Sequence, residues 1–291
     1  MAEDDSQASV LDGRAIADRL IDNVARAVSE GTKRGERPPG LAVVLIGDDP
    51  ASDIYVGNKV KACARAGIVS RDYRLTHGSD QKSLLALIDQ LNRDEEIDGI
   101  LVQLPLPPHM DEHAVTRRIS PEKDVDGFHP INVGQLALRN PGLRPCTPRG
   151  VMTLLNAYRL DPKSKHAVVV GASNIVGRPL ALELLLAGAT VTVAHRFTKN
   201  LESLVGQADY LFVAVGKPGV VKSDWITPGT VAVDIGIHRD PEGRVRGDLE
   251  YEEVSRRASW ITPVPGGVGP MTVATLMQNT AEAGGLVVLS P

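Results

Sequence analysis

The chain has 291 residues, 42% of them hydrophobic and 23% charged, with a formal net charge of −4. That length gives room for two domains with substantial cores. The charge balance gives no electrostatic footing for nucleic acid or an anionic membrane, and no apolar run reaches membrane-spanning length. The N-terminus, Met1 to Gln7, is acidic and polar and reads as carrying no secretory signal. The two cysteines, Cys63 and Cys146, lack metal-ligand spacing and read as reduced thiols of a cytoplasmic protein; no metal is expected.

Residues 11–33 carry Ile16, Leu20, Ile21, Val24 and Val28 at helical spacing. Residues 41–46 read as a buried strand. Asp49 and Pro50 then read as the N-cap and first residue of a helix running to Ala66. On that helix Tyr55 and Lys59 are four apart and share a face. The neighbours of Lys59 one turn away are Tyr55, Val56, Ala62 and Cys63, with no acid among them. Such a face suits an acid/base lysine, or equally a lysine snorkelling from a half-buried helix. Residues 72–76 read as a strand, 81–92 as a helix and 98–107 as a strand ending in prolines. Gln103 interrupts that apolar run at its carboxyl end, the edge where open α/β sheets hold ligands. A buried glutamine needs partners, and Lys59 is a candidate. A helix over 112–119 follows. In the turn 121–130, Asp126 can accept two hydrogen bonds from an amino-heterocycle or serve an Asx-type turn. His129 reads as a loop residue before a proline, and 141–148 as a linker.

The second half is organised around residues 166–179: a β-branched strand, a glycine turn from Gly171 to Gly177, and the start of a helix that ends at Gly188. A glycine turn opening a helix after a parallel strand is a ready anion site, typically for the pyrophosphate of a dinucleotide. The spacing is G-x-S-x-x-x-G, not the regular fingerprint. Strand 190–194 ends at His195-Arg196, where an NAD site would carry an acid; Arg196 suits a 2′-phosphate and favours NADP. Further strands at 210–214, 230–234 and 260–261 complete a doubly wound sheet. Residues 263–270 read as a ligand-clasping loop, and 271–283 as the last helix.

Tyr55-x-x-x-Lys59, Val102-Gln103-Leu104-Pro105-Leu106-Pro107, Pro121-Glu122-Lys123-Asp124-Val125-Asp126-Gly127, Pro145-Cys146-Thr147-Pro148 and Ile261 to Thr272 lie in order along the chain. Together they resemble the bifunctional methylenetetrahydrofolate dehydrogenase/cyclohydrolase family, over nearly the whole chain. The resemblance implies two α/β domains with a cleft between them. One is a folate-binding catalytic domain, residues 1–143 completed by 271–291; the other is a Rossmann-like NADP-binding domain, residues 144–270. It implies oxidation of 5,10-methylenetetrahydrofolate to the methenyl cation with NADP⁺, then hydrolysis to 10-formyltetrahydrofolate. By resemblance Lys59 is the catalytic lysine, Tyr55 stacks on the folate, Gln103 orients the lysine and Asp126 binds the pterin. Cofactor contacts fall on Gly171, Ala172, Ser173, Arg196 and Ile237. Val102, Leu104, Pro265, Gly266, Gly267, Val268 and Gly269 complete the substrate surface, and a homodimer is implied. Many members have Arg where this chain has Ala172, and a small polar residue where it has Arg196. The alternatives are another two-domain Rossmann dehydrogenase, such as one acting on a shikimate-like acid, and a dinucleotide sensor without turnover.

Overall fold

The computed structural model describes residues 7–47, 50–240 and 242–291, with backbone alone at 50–55. The expected N-cap at Asp49 lies outside the described residues. In chain order the elements are β1 (Ser9–Val10), α1 (Gly13–Lys33), β2 (Gly40–Ile46), α2 (Pro50–Ala66), β3 (Val69–Leu75), α3 (Gln81–Arg93), β4 (Gly99–Val102), α4 (Glu112–Arg118), α5 (Pro130–Ala137) and α6 (Cys146–Ala157). Then come β5 (His166–Val170), α7 (Gly177–Leu186), β6 (Thr190–Ala194), α8 (Leu201–Val205), β7 (Tyr210–Val213), β8 (Val231–Asp234), β9 (His238–Arg239), β10 (Val245–Arg246), α9 (Tyr251–Ser255), β11 (Trp260–Ile261) and α10 (Val268–Ala283). They divide into two α/β units: residues 17–146 with 273–291, here the N-terminal unit, and residues 7–16 with 147–272, the C-terminal unit.

The sheet of the N-terminal unit has three parallel strands in the order β3-β2-β4. Its central strand β2 is buried at all seven positions, which is why the sequence there is an unbroken apolar run. Helix α3 presents Leu84, Ile88 and Leu91 to this sheet at i, i+4, i+7, packed with Ala42, Val44, Ile100 and Val102. Its start is fixed by Asp80, whose carboxylate accepts the Ser83 N–H at 2.8 Å. Each fully buried side chain of this size stabilises the unit by about 1.5–3 kcal/mol.

The C-terminal unit holds six parallel strands in the order β1-β11-β8-β7-β5-β6. The apolar cores of β5, β7, β8 and β11 make its interior, with Val168, Leu211, Ala232 and Ile261 fully buried. The chain leaves β5 to one side toward β6 and returns on the other side to β7. That reversal of strand order marks the carboxyl edge of β5 and β7 as the ligand crevice of such a sheet.

Several expectations need correction. Ser9–Val10 pairs with Trp260–Ile261, so residues 7–16 belong with the second sheet and not with a domain 1–143. The linker expected over 141–148 gives way to α6 at Cys146, and α10 starts at Val268, three residues before Met271. In both cases the proline lies within the first helical turn, where a missing N–H is harmless. The strand expected over 98–107 ends at Val102. His129 is no plain loop residue: its ring accepts the Ile131 N–H at 3.1 Å and caps α5.

Candidate active site

In the N-terminal unit, α2 buries Val56 and Cys63 and leaves Lys59 half-buried beside that stripe. Burial pushes the Cys63 thiol up to about 12, which leaves it inert as a nucleophile. Gln103 continues the ladder beyond β4, its N–H donating to Val44 O at 2.9 Å. Its side-chain amide is fixed at both ends. Nε2 donates to Leu104 O at 2.7 Å, and Oε1 accepts from Lys59 Nζ at 2.9 Å. The first bond turns the carbonyl oxygen toward the lysine, so Nζ is held on a defined vector. The Tyr55 backbone lies in α2, four residues before Lys59; its side chain is outside the described residues.

Asp126 reaches the same place from a turn anchored on three sides. Asp124 is buried and accepts from His129 N at 2.8 Å and Asn132 Nδ2 at 2.9 Å. Cys146 N donates to Asp126 O at 3.3 Å. Asn279 of α10 donates to Val125 O at 2.7 Å and to Arg144 O at 2.9 Å. Gly127, at φ +77°, lets the turn press against the Arg144–Pro145 backbone, where a Cβ would collide. Desolvation pushes the Asp126 carboxyl up to about 6; the Lys59 ammonium pulls it down, and the Asp124 carboxylate adds to the rise. Beneath it lies a small notch of about 20 Å³ walled by Val102, Leu104 and Phe128. Lys59, Gln103 and Asp126 therefore converge in one unit, with Val102 and Leu104 beside them. Asp124, Asn132 and Asn279 went unnoticed in the sequence; only the paired-carboxylate turn hinted at the first.

In the C-terminal unit the glycine turn lies at the carboxyl end of β5. Gly171 has φ +121° and its backbone touches Ala214, just past β7. Gly177 packs on the Gly171 carbonyl, so neither position admits a Cβ. Ser173 Oγ accepts from Val176 N at 3.2 Å and Gly177 N at 3.3 Å, and Ala172 O accepts from Arg178 Nε at 3.1 Å. At the end of the neighbouring β6 stands Arg196, exposed, its guanidinium 4.7 Å from the centre of the Phe197 ring. Ile237 follows β8 and is 41% exposed; Ile175 after β5 and Val215 after β7 are left 40% and 38% exposed. Three bare apolar side chains on the loops after β5, β7 and β8, beside a tight glycine turn that opens an α-helix, fit a dinucleotide, whose rings would cover them. Pro265 to Gly269 lie in the same unit, where Gly267 N closes a turn on Pro263 O at 2.8 Å and leads into α10. Among the described residues no three His, Cys, Asp or Glu cluster as metal ligands, and no helix is long and apolar enough to cross a membrane.

Fold and site define a two-unit α/β protein with a Rossmann-type dinucleotide sheet and a lysine–glutamine–aspartate cluster in the other unit. Comparison with known families makes this specific. Residues 11–126 match the tetrahydrofolate dehydrogenase/cyclohydrolase catalytic domain, and residues 145–286 match the NAD(P)-binding domain of the same family. The chain belongs to that family, as its motifs led one to expect. Among solved structures it is similar to the bifunctional FolD methylenetetrahydrofolate dehydrogenase/cyclohydrolase of Campylobacter jejuni. There the identity is 48% over 96% of this chain and 99% of that one, with a TM-score of 0.93. The Trypanosoma brucei enzyme, solved with NADP cofactor and inhibitor, is 39% identical over 96% of this chain and 98% of its own, with a TM-score of 0.92. A 5,10-methylenetetrahydrofolate dehydrogenase from the silkworm Bombyx mori is 40% identical over 96% and 98%, with a TM-score of 0.91.

Proposed function

We propose that the chain oxidises 5,10-methylenetetrahydrofolate to 5,10-methenyltetrahydrofolate with NADP⁺ and hydrolyses that cation to 10-formyltetrahydrofolate, with Lys59, Gln103 and Asp126 as its folate-side residues. The observation that carries the reading is the 2.9 Å bond from Lys59 Nζ to Gln103 Oε1. It aims an amine whose remaining valences are free to exchange a proton with a water at the one-carbon bridge. Addition of water to the methenyl carbon releases a proton and, as the ring opens, puts one on N5. A positioned amine can manage both. Asp126 supplies the anchor. A partly desolvated carboxylate gains most from two N–H donors presented side by side, as the aminopyrimidine edge of a pterin presents them. Tyr55, four residues before Lys59 on α2, is assigned the stacking role. Pro265 to Gly269 complete the substrate surface.

NADP⁺ when bound supplies the hydride acceptor. Gly171, Ala172 and Ser173 form the turn that would hold its pyrophosphate, Ile237 would cover a ring, and Arg196 would pair with the 2′-phosphate. With Ala172 too short to reach a phosphate, Arg196 is the nearby cation at the end of β6, which favours NADP over NAD. We further assign residues 271–291 to the folate domain, and a cytoplasmic homodimer to the working enzyme. Cys63 and Cys146 are buried and not joined in a disulfide, which agrees with a reducing compartment. Mixing the protein with methylenetetrahydrofolate and NADP⁺, with NAD⁺ in parallel, tests the function through methenyl absorbance. A signal with NADP⁺ that decays faster than spontaneous hydrolysis is expected. No signal with either nucleotide would remove the folate assignment.

A further inference from the structure

Asp248, two residues past β10, is 1% exposed, yet it belongs to neither the folate cluster nor the glycine turn. Its Oδ2 accepts two consecutive backbone N–H groups, Val215 N at 2.7 Å and Gly216 N at 2.9 Å. On the other side of the carboxylate runs Gly236, so close that a Cβ there would collide with it. The carboxylate thus lies between the loop that follows β7 and the loop that follows β8. The first begins at Ala214, the residue against which the Gly171 backbone rests. The second continues into Ile237. Asp248 is itself held in place. Asp234, at the end of β8, accepts from Asp248 N at 3.0 Å and Leu249 N at 2.8 Å. Val215, one of the two pinned residues, and Ile237, next to Gly236, are exposed.

We propose that Asp248 is a positioning residue for the dinucleotide: it sets the loops after β7 and β8 so that Val215, Gly216 and Ile237 are in place before the ligand arrives. This rests on the reading that the C-terminal unit takes NADP⁺. Two neighbouring N–H groups converging on one oxygen fix the direction of a backbone, and without that acceptor they turn to water or to each other's neighbours. Gly216 is at φ +70°, so its loop has few alternative conformations that keep the same path. Pre-setting such a loop spares the ligand the work of ordering it, and the gain appears in affinity. The role is that of an acceptor oxygen and not of a charge. Asparagine in this position keeps an oxygen for both N–H groups and points its amide toward His238, whose Nδ1 lies 4.0 Å from Oδ1.

Calorimetric titration of the whole protein with NADP⁺ alone tests this, alongside hydrolysis of methenyltetrahydrofolate in the absence of any dinucleotide. Asp248→Ala is expected to weaken NADP⁺ binding by about tenfold or more while hydrolysis stays within about twofold. Asp248→Asn is expected to bind NADP⁺ within about threefold of wild type, because it keeps the acceptor. Gly236→Ala pushes the carboxylate without removing it and is expected to weaken binding as Asp248→Ala does. Wild-type affinity in Asp248→Ala, or an asparagine variant as weak as the alanine, overturns the proposal. So does loss of hydrolysis together with binding in both Asp248→Ala and Gly236→Ala, since the residue then serves the fold at large. A wild-type protein that takes neither NADP⁺ nor NAD⁺ fails at an earlier point and removes the dinucleotide reading itself.

Discussion

Asp126 in the N-terminal unit and Asp234 in the C-terminal unit are both pushed up to about 6, and in both the largest cause is desolvation. What opposes that rise differs. Asp234 takes three backbone N–H groups, from Gly236 at 3.1 Å, Asp248 at 3.0 Å and Leu249 at 2.8 Å. Its oxygens are spent on tying the segment 247–249 to the end of β8. Asp126 is opposed chiefly by the charge of Lys59, and its half-buried carboxyl borders an apolar notch. A raised carboxyl is therefore a poor guide to function by itself. The partners its oxygens already hold separate a structural acid from one waiting for a ligand.

The largest effect that sharpens the contrast is at Lys59. Lys59→Ala should lower methenyl hydrolysis by about 10²–10⁴-fold with an unchanged melting temperature, read by absorbance decay and thermal denaturation. Near-normal hydrolysis would break the folate side of the comparison. Next comes Asp234→Ala, which leaves three buried N–H groups without their acceptor. It should cost about 2–4 kcal/mol in urea denaturation. A stability within about 0.5 kcal/mol of wild type would show that Asp234 is not the structural acid described.

A smaller effect is in pH. The folded-state pKa of Asp126 lies above the ordinary 3.8, so the native state holds the proton more tightly than the unfolded chain. Its contribution to stability is thus full below the unfolded value and lost as pH rises through about 6. In the proposed role binding runs the other way, because there the ionised form is the one that would accept the pterin. Accordingly kcat/KM for the folate should fall about tenfold per unit below that value, and Asp126→Asn should flatten the limb. Smallest is Arg196→Ala: an exposed arginine paired with a phosphate should be worth several-fold, roughly 3- to 10-fold, in NADP over NAD preference. An unchanged preference in kcat/KM would return Arg196 to the surface.

The parts of this arrangement that were legible in the sequence are those written in consecutive residues. The strand–turn–helix of 166–186 shows in a β-branched run, two glycines and a proline, and the structure has β5 and α7 there. The shared face of Tyr55 and Lys59 follows from helical periodicity alone. Strands of two residues such as Ser9–Val10 leave no period to read, and their pairing is set by a partner some 250 residues away. Helix α5 was hidden because His129 before Pro130 looks like a loop breaker, whereas a ring nitrogen makes it a cap. Asp234 and Asp248 were invisible for a related reason. Their partners are mostly backbone N–H groups, which carry no residue identity, and those of Asp248 lie 32 and 33 positions away.

The contrast between the two acids is tested most directly by ¹³C-carboxyl NMR of aspartate-labelled protein, titrated in pH with and without saturating tetrahydrofolate. Asp126 should titrate near 6 in the free protein and fall by about one unit or more with the folate bound. Asp234, with its oxygens already engaged, should keep its midpoint near 6 in both. An Asp126 that does not respond to the folate, or two aspartates that shift alike, would contradict the account.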